Sequence, residues 1–154
     1  MKDAKESWKP EEPADVNVRS VLPDMVRAYF HAGRKLDRDS KAKAMHRFRL
    51  KTKHLRYTLE AFVSLYGPSL ERRIATLRPI QNALGDSNDC EVLLAEMGDR
   101  LPHKVRAWLH KRSDEKRKDF LRYWRETFDA AGEDKKWEKY LARTRSVRKP
   151  QTKP

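Results

Sequence analysis

The chain has one cysteine, five glycines and no long hydrophobic run. Cys90 alone forms no internal disulfide and anchors no zinc finger, so we expect a small buried helix residue. No apolar segment approaches the roughly 20 residues that cross a bilayer, and MKDAKESWKPEE at the start has no hydrophobic segment of a signal peptide. These features predict a cytoplasmic protein that does not enter a membrane.

Basic residues outnumber acidic ones. The chain has 36 Lys and Arg against 23 Asp and Glu, which gives a net charge of +13 and a pI near 10.0. A charge of this size attracts polyanions at low salt, so nucleic acid, inorganic polyphosphate and anionic membrane all qualify as partners. At 154 residues, rich in helix formers, the chain is expected to form one all-α domain.

Apolar residues recur at helical spacing between two charged ends. We predict a disordered N-terminal arm over 1–16, a helical bundle over 17–142 and a basic disordered tail over 143–154. The predicted helices span 17–38, 39–67, 69–85 with a kink at Pro79, 86–97 and 102–131, with a last stretch after Gly132. The expected fold is an antiparallel bundle of four main helices plus short accessory helices, with a basic surface groove.

Polar side chains and prolines suggest where these helices begin. The expected capping residues are Asp39 or Ser40, Ser69, and Asp86 or Ser87. Pro23 is compatible with the first helix only if it lies in the first turn.

Basic residues on the second helix form an ordered column. At about 100° per residue, the stripe expected to be buried holds Met45, Phe48, Thr52, Leu55, Leu59, Phe62, Val63 and Tyr66. The basic column, defined as His46, Arg49, Lys53 and Arg56, lies beside this stripe, whereas Arg47, Lys51 and His54 lie on the remaining side. Its cations recur about every 5 Å, a spacing suited to a chain of phosphates.

The bland interpretation of these charges is a solvated helix face. Against it, only Glu60 on this helix could neutralise a member of the column, through an (i, i+4) pair with Arg56. On the long later helix, Arg112, Lys116 and Arg117 interrupt the apolar stripe before Phe120. Either that helix breaks there, or these cations face the same groove.

Metal binding and catalysis have little support in the sequence. His46 and His54 are about 12 Å apart along a helix and His103 and His110 about 10 Å, so neither pair can grip one ion. There is no Gly-rich phosphate loop and no nucleophile elbow. Helix capping explains Asp86 and Asp89. We therefore predict no catalytic residue, no metal site and no cofactor.

Two motifs carry a family resemblance. HRFRLKTKHLRYTLEAF, with His46, Arg49, Lys53, Arg56 and Tyr57, is followed by LYG at 65–67. LRPIQNALGDSNDCEVL, at 77–93, contains Gln81, Leu84, Gly85, Asn88 and Asp89. In this order, the motifs resemble those of the conserved histidine α-helical domain, CHAD, and the resemblance extends over roughly residues 18–131.

The resemblance implies a helical bundle whose basic surface binds inorganic polyphosphate, often at polyphosphate granules, without established catalytic activity. It offers His46 as a phosphate contact. CHAD domains usually hold two such bundles with the basic groove between them, and this chain holds one. A homodimer would restore the groove by symmetry.

The sequence thus predicts non-enzymatic polyphosphate binding. His46, Arg49, Lys53 and Arg56 are the primary site, and Arg47, Lys51, His54, Arg112 and Lys116 are secondary. One alternative is nucleic-acid binding, favoured by the basic tail and by Tyr57 and Trp108, although we interpret these aromatics as packing residues and find no recognition motif. A second is a granule-associated scaffold in which the charge is incidental. An unrecognised enzyme is the least favoured.

Overall fold

The computed structural model describes residues 8–144, and this part of the chain is helical with no strand. Seven α-helices follow one another: α1 Ala14–Arg34, α2 Ala42–Ala61, α3 Val63–Tyr66, α4 Pro68–Ala75, α5 Arg78–Met97, α6 His103–Tyr123 and α7 Glu133–Leu141. A 3₁₀ turn, Gly98–Arg100, joins α5 to α6, and a π-helical turn, Trp124–Phe128, follows α6.

Four long helices, α1, α2, α5 and α6, form the bundle, and α3, α4 and α7 are the accessory helices. The prediction of an all-α bundle of this composition is confirmed. α5 packs against α2 on one side and antiparallel to α6 on the other, while α7 packs against α1. The core is built from apolar faces at helical spacing, including Val18, Leu22, Leu55, Leu59, Leu70, Leu77, Ile80, Leu84 and Phe120.

An aromatic cluster forms the centre of the core. Tyr29 stacks on Phe48 with ring centroids 4.8 Å apart, and Phe30 stacks on Phe128 at 5.0 Å. Trp124 contacts both pairs. The buried hydroxyls of Tyr29 and Thr52 are hydrogen-bonded at 2.8 Å, and burial raises the pKa of Tyr29. This cluster ties α1, α2 and the end of α6 together.

α1 begins at Ala14, three residues before the predicted start, and ends at Arg34. Pro23 therefore lies in the helix interior, where it is buried, and the expectation that it occupies the first turn is wrong. Residues 8–13 contact the bundle: Trp8 stacks on Phe62 at 6.3 Å, and the Lys9 amide donates to Asn17 Oδ1 at 2.7 Å. The predicted arm is thus packed from residue 8 onward. Its residues 1–7, and residues 145–154 of the predicted tail, lie outside the described residues.

The start of α2 differs from the prediction. Neither Asp39 nor Ser40 caps the helix, because both lie in a preceding turn where the Asp37 amide donates to Ser40 Oγ at 2.9 Å. α2 begins at Ala42 and stops at Ala61, and the turn of α3 separates it from Gly67. Gly67 has φ of 82°, a left-handed conformation that glycine adopts without steric cost.

The predicted third and fourth helices divide elsewhere. The break falls at Thr76 and Leu77, where the Thr76 carbonyl accepts a hydrogen bond from the Tyr123 hydroxyl at 2.9 Å. Pro79 lies in the first turn of α5, where no intrahelical N–H bond is lost, so it starts a helix rather than kinking one. Ser69 is no cap either, because its hydroxyl is 2.7 Å from that of Tyr140.

Gly85 does not end a helix, because α5 continues through it to Met97. A glycine terminates a helix when it adopts a left-handed conformation, and Gly85 is not among the glycines with positive φ. Asp86 and Ser87 consequently lie in the middle of α5 rather than at a helix start. The capping interpretation of Asp86 and Asp89 is wrong.

α6 and α7 lie close to where the sequence predicts helices, but two side chains of α6 that were predicted to be apolar packing residues are exposed. α6 continues through residues 112–117 without a break, and α7 begins directly after Gly132. Cys90 is buried as expected, and burial raises the pKa of its thiol. Val105 and Trp108, however, are 40% and 57% exposed, so these two do not belong to the core.

Candidate functional site

The basic column lies on the flank of α2 that is half covered by the rest of the bundle. His46, Arg49, Lys53 and Arg56 are all partly buried. By contrast, Arg47, Lys51 and His54 are exposed on the outer side of the same helix. Met45, Phe48, Thr52, Leu55 and Leu59 are buried as predicted and hold α2 in its orientation. The two sets of basic residues therefore occupy different environments, as the helical spacing predicts.

The second motif faces the first. His46 Nδ1 lies 2.7 Å from Asn88 Oδ1, and the Cβ position of Gly85 is 3.8 Å from Arg49 Nε. These two contacts show that α5 runs antiparallel to α2. Carried one helical turn further, the same register sets Gln81 opposite Lys53. The glycine provides room for a guanidinium, and the asparagine orients an imidazole, so α5 positions Arg49 and His46.

Internal neutralisation of the column is concentrated at one end. Arg56 Nη1 lies 2.8 Å from Glu60 Oε1, the pair expected from the sequence, and its guanidinium lies over Tyr57 at 4.6 Å. Lys53 Nζ is 5.8 Å from the same ring. Within residues 8–144, neither Arg49 nor Lys53 has a carboxylate within 4.0 Å. Two adjacent cations are thus available to an external anion.

Guanidinium groups here also have unused hydrogen-bond donors. The Nε atoms of Arg49 and Arg56 are buried and have no hydrogen-bond partner among the described residues. An unpartnered buried N–H is costly, because it loses water without gaining another acceptor. An anion bound along the column would bring oxygen acceptors close to these groups.

A shallow cleft of about 310 Å³ continues the column beyond His46. Its polar lining includes Lys43, His46, Asn88, Glu91 and Arg117. Arg117 Nε is buried without a partner in the described range, like that of Arg49. The sequence indicated Arg117 as one of three cations that interrupt an apolar stripe and could face the same groove, and Lys43 was not singled out at all. Both extend the set of cations beyond α2.

Arg112 and Lys116, the secondary candidates on α6, are not brought to the column. Both pair with Asp86, at 3.3 Å and 3.7 Å, and Lys116 is also 3.8 Å from Asp119. At about 100° per residue they lie on the flank of α6 away from Arg117. Of the three cations that interrupt the apolar stripe of α6, Arg112 and Lys116 are therefore paired with Asp86, and only Arg117 faces the cleft.

The structure suggests no metal centre in the range it describes, since no group of three or more His, Cys, Asp or Glu side chains converges there. Likewise, none of the described helices is long and apolar enough to span a membrane. The interpretation of Tyr57 and Trp108 as packing residues is wrong, because they are 49% and 57% exposed. Arg112 lies over the Trp108 ring at 5.7 Å.

The part of the chain that resembles known proteins includes this site. A family model described as the CHAD domain matches residues 1–98 of the 154-residue chain. No curated protein and no solved structure matches the chain. The matched range includes α1 to α5, and so contains the basic column together with Gly85 and Asn88; it ends before α6. With more than half of its length matched, the chain belongs to the CHAD family.

Proposed function

We propose that this chain binds inorganic polyphosphate along the basic column of α2 and does so as a binding protein rather than an enzyme. CHAD domains are generally binding domains associated with polyphosphate. The observation that carries the proposal is the pair Arg49 and Lys53: these cations are adjacent and partly buried, Arg49 lies beside Gly85 of α5, and no carboxylate in the described range neutralises either. Their regular spacing matches a ligand whose charges also repeat.

Each residue of the column has a role in this proposal. Arg49 and Lys53 contact different phosphates of one chain, and His46, held by Asn88, presents its Nε2 to the same chain. Arg56 contributes less, because Glu60 already neutralises part of its charge. Arg47, Lys51 and His54 attract the ligand from the outer side of the helix without holding it, since exposed charges are screened by salt. Lys43 and Arg117 extend the site into the cleft.

Calorimetric titration of the purified protein with polyphosphate tests this proposal, and the helix supplies a matched control. Arg49→Ala/Lys53→Ala and Arg47→Ala/Lys51→Ala each remove one arginine and one lysine from α2 and change the net charge equally. We expect the first variant to lose affinity at least tenfold, because charge-assisted hydrogen bonds contribute about 1.5–3 kcal/mol each. The second should lose only a fewfold. Equal losses would show that total charge, not the column, is recognised.

Nucleic acid remains the second candidate, because exposed Tyr57 under Arg56 and Lys53 offers a surface on which a base can stack. Single-stranded RNA with the same number of phosphates distinguishes the two ligands. Tyr57→Leu should leave polyphosphate affinity nearly unchanged, since polyphosphate has no base. Tighter RNA binding that Tyr57→Leu weakens would favour nucleic acid instead.

The proposed location is the cytoplasm, at polyphosphate granules, with granule proteins as neighbours. A fluorescent fusion should colocalise with polyphosphate, and Arg49→Ala/Lys53→Ala should disperse it. Localisation that survives in this variant would support the scaffold alternative, in which the charge is incidental.

A further inference from the structure

Exposed apolar side chains concentrate at the end of the α5–α6 hairpin where the Gly98–Arg100 turn joins the two helices. Among the described residues, Leu93, Met97, Val105 and Trp108 are large hydrophobic side chains that are 43%, 41%, 40% and 57% exposed. At about 100° per residue, Leu93 and Met97 lie on one flank of α5, on the same side as Asp86. Val105 and Trp108 lie on the flank of α6 that carries Arg112 and Lys116, the partners of Asp86.

The hairpin register joins these four side chains into one surface. Asp86 meets Arg112 at 3.3 Å, and Ser87 Oγ is 3.0 Å from Ser113 Oγ. Because α5 and α6 are antiparallel, the same register sets Leu93 between Val105 and Trp108, and sets Met97 near the start of α6, about one turn before Val105. We call these four residues the apolar strip. Single exposed hydrophobic residues need no explanation, but a contiguous strip is typical of an interaction surface.

The apolar strip is open to solvent in the described chain, since each of its four side chains is at least 40% exposed. The strip also lies apart from the basic column. Val92 lines the cleft near His46, whereas the next residue, Leu93, belongs to the strip. Adjacent side chains on a helix point about 100° apart, so the cleft and the strip lie on different flanks of α5. One flank of the hairpin faces the basic site and the other carries the strip.

Charge indicates what covers the strip. Residues 86–112 contain five acidic and five basic residues, so this segment is neutral in a chain of +13. Two copies can therefore approach each other here without the repulsion that the rest of the surface imposes. The signs are also segregated: Asp89 and Glu96 lie on α5, and Lys104 lies on α6. Within the described range none of these three has an ion-pair partner.

We propose that a second copy of this chain docks on the apolar strip, through a two-fold pairing of the α5–α6 hairpins. In such an isologous contact, α5 of each copy faces α6 of the other, so that Trp108 packs on Leu93 and Glu96 pairs with Lys104 across the interface. The proposal does not depend on polyphosphate. It also differs from a dimer that closes a groove between two basic surfaces, because this pairing leaves both basic columns facing outward.

Sedimentation of the full chain over a concentration series, without polyphosphate, tests the pairing. We expect a monomer–dimer equilibrium that Trp108→Glu and Met97→Glu each shift to monomer by at least tenfold in Kd. Leu50→Glu is the matched control, because Leu50 is 47% exposed on α2, outside the strip. It should leave the equilibrium unchanged. A wild-type chain that stays monomeric, or a dimer that survives both strip variants, would overturn the proposal.

Charge reversal provides a second test that does not depend on introducing a charge into an apolar surface. Glu96→Lys and Lys104→Glu should each weaken the dimer, because each places like charges across the two-fold axis. The double variant restores both cross-pairs and should recover most of the wild-type affinity. Recovery confirms the pairing of α5 with α6, whereas a double variant weaker than either single one contradicts it. Circular dichroism verifies that each variant is folded.

Discussion

Small and polar residues on α5 determine how the basic side chains of α2 are held. Gly85 leaves space for Arg49, and Asn88 orients His46. These residues have no charge of their own, yet the geometry of the site depends on them. In this chain, the α5 segment that contains them therefore supports the basic side chains of α2.

Substitutions at Gly85 should separate stability from binding. An added Cβ meets Arg49 Nε at 3.8 Å, an ordinary contact, so Gly85→Ala should retain polyphosphate affinity and stabilise the helix by about 0.5–1 kcal/mol. Gly85→Leu occupies the space of the guanidinium and should weaken binding about tenfold. Urea denaturation and calorimetry on both variants measure the two effects. If Gly85→Leu binds as tightly as wild type, Arg49 is not a principal contact.

Gly33 has a different role, because it allows α1 to approach Trp124. A Cβ at this position would overlap the indole, with Cε2 only 2.7 Å away. We expect Gly33→Ala to destabilise the protein by about 1–3 kcal/mol, the range for overpacked cores. Gly98→Ala is the control, since no atom lies within 4 Å of its added Cβ. Thermal denaturation should show a lower Tm only for Gly33→Ala; equal Tm values would mean that the indole moves without cost.

At the scale of helices, the sequence predicts faces better than ends. The buried stripe of α2 and the apolar positions Leu70, Ile74, Leu77, Ile80 and Leu84 follow from periodicity, which the core enforces over many residues. The break at Thr76 has a local signal in Pro79, but the side chain that satisfies the Thr76 carbonyl could not be predicted locally, because Tyr123 is 47 residues away. Gly85 misled for the same reason: its partner Arg49 is on another helix.

Ion pairs fasten α7 to α1. Arg34 bonds Asp129 at 2.6 Å and Asp134 at 2.9 Å, and Arg27 bonds Glu138 at 2.8 Å. The hydrogen bond from Arg34 lowers the pKa of Asp134, and that from Arg27 lowers the pKa of Glu138. The arginines are about half exposed, so each pair contributes only about 0.2–1 kcal/mol.

These lowered pKa values predict acid sensitivity of the α1–α7 contact. The stabilisation is fully present above pH about 4.5, where the carboxylates of the unfolded chain are also ionised, and it is lost as the pH falls through the folded-state pKa values. Urea midpoints measured between neutral pH and pH 3 should fall less in Arg27→Ala/Arg34→Ala than in wild type. Lys111→Ala, which removes the Lys111–Glu115 pair within α6 and leaves the α1–α7 contact untouched, is the control. An identical pH profile in the double variant would contradict this assignment.

For the whole molecule, the distribution of charge matters more than its total. The net charge of +13 is apparent from composition, but composition does not show that residues 86–112 are neutral or that Arg112 and Lys116 are paired with Asp86. The basic column itself could be predicted from the sequence, because its spacing is local. The sequence could not distinguish Arg117 from Arg112 and Lys116, because only the packing of the helices shows which of the three reaches the cleft.

The salt dependence of polyphosphate affinity should show how many cations contact the ligand. Each phosphate contact releases counterions, so binding weakens as salt is added. A plot of log Kd for polyphosphate against log salt concentration should therefore rise linearly. The slope should decrease by about one for each contact removed, and therefore by about two in Arg49→Ala/Lys53→Ala. Arg47→Ala/Lys51→Ala should change it less. A slope unaltered in the first variant would place the contacts elsewhere.

The two-sided α5–α6 hairpin has a consequence for assemblies larger than a dimer. If two copies pair through the apolar strip, the dimer has two separate basic columns that face away from each other. Such a dimer is a divalent crosslinker. A long polyphosphate chain offers many equivalent places to bind. Divalent particles on multivalent strands form a network once the strands are long enough to be held at several points, so short strands would be bound singly while long strands would be gathered together.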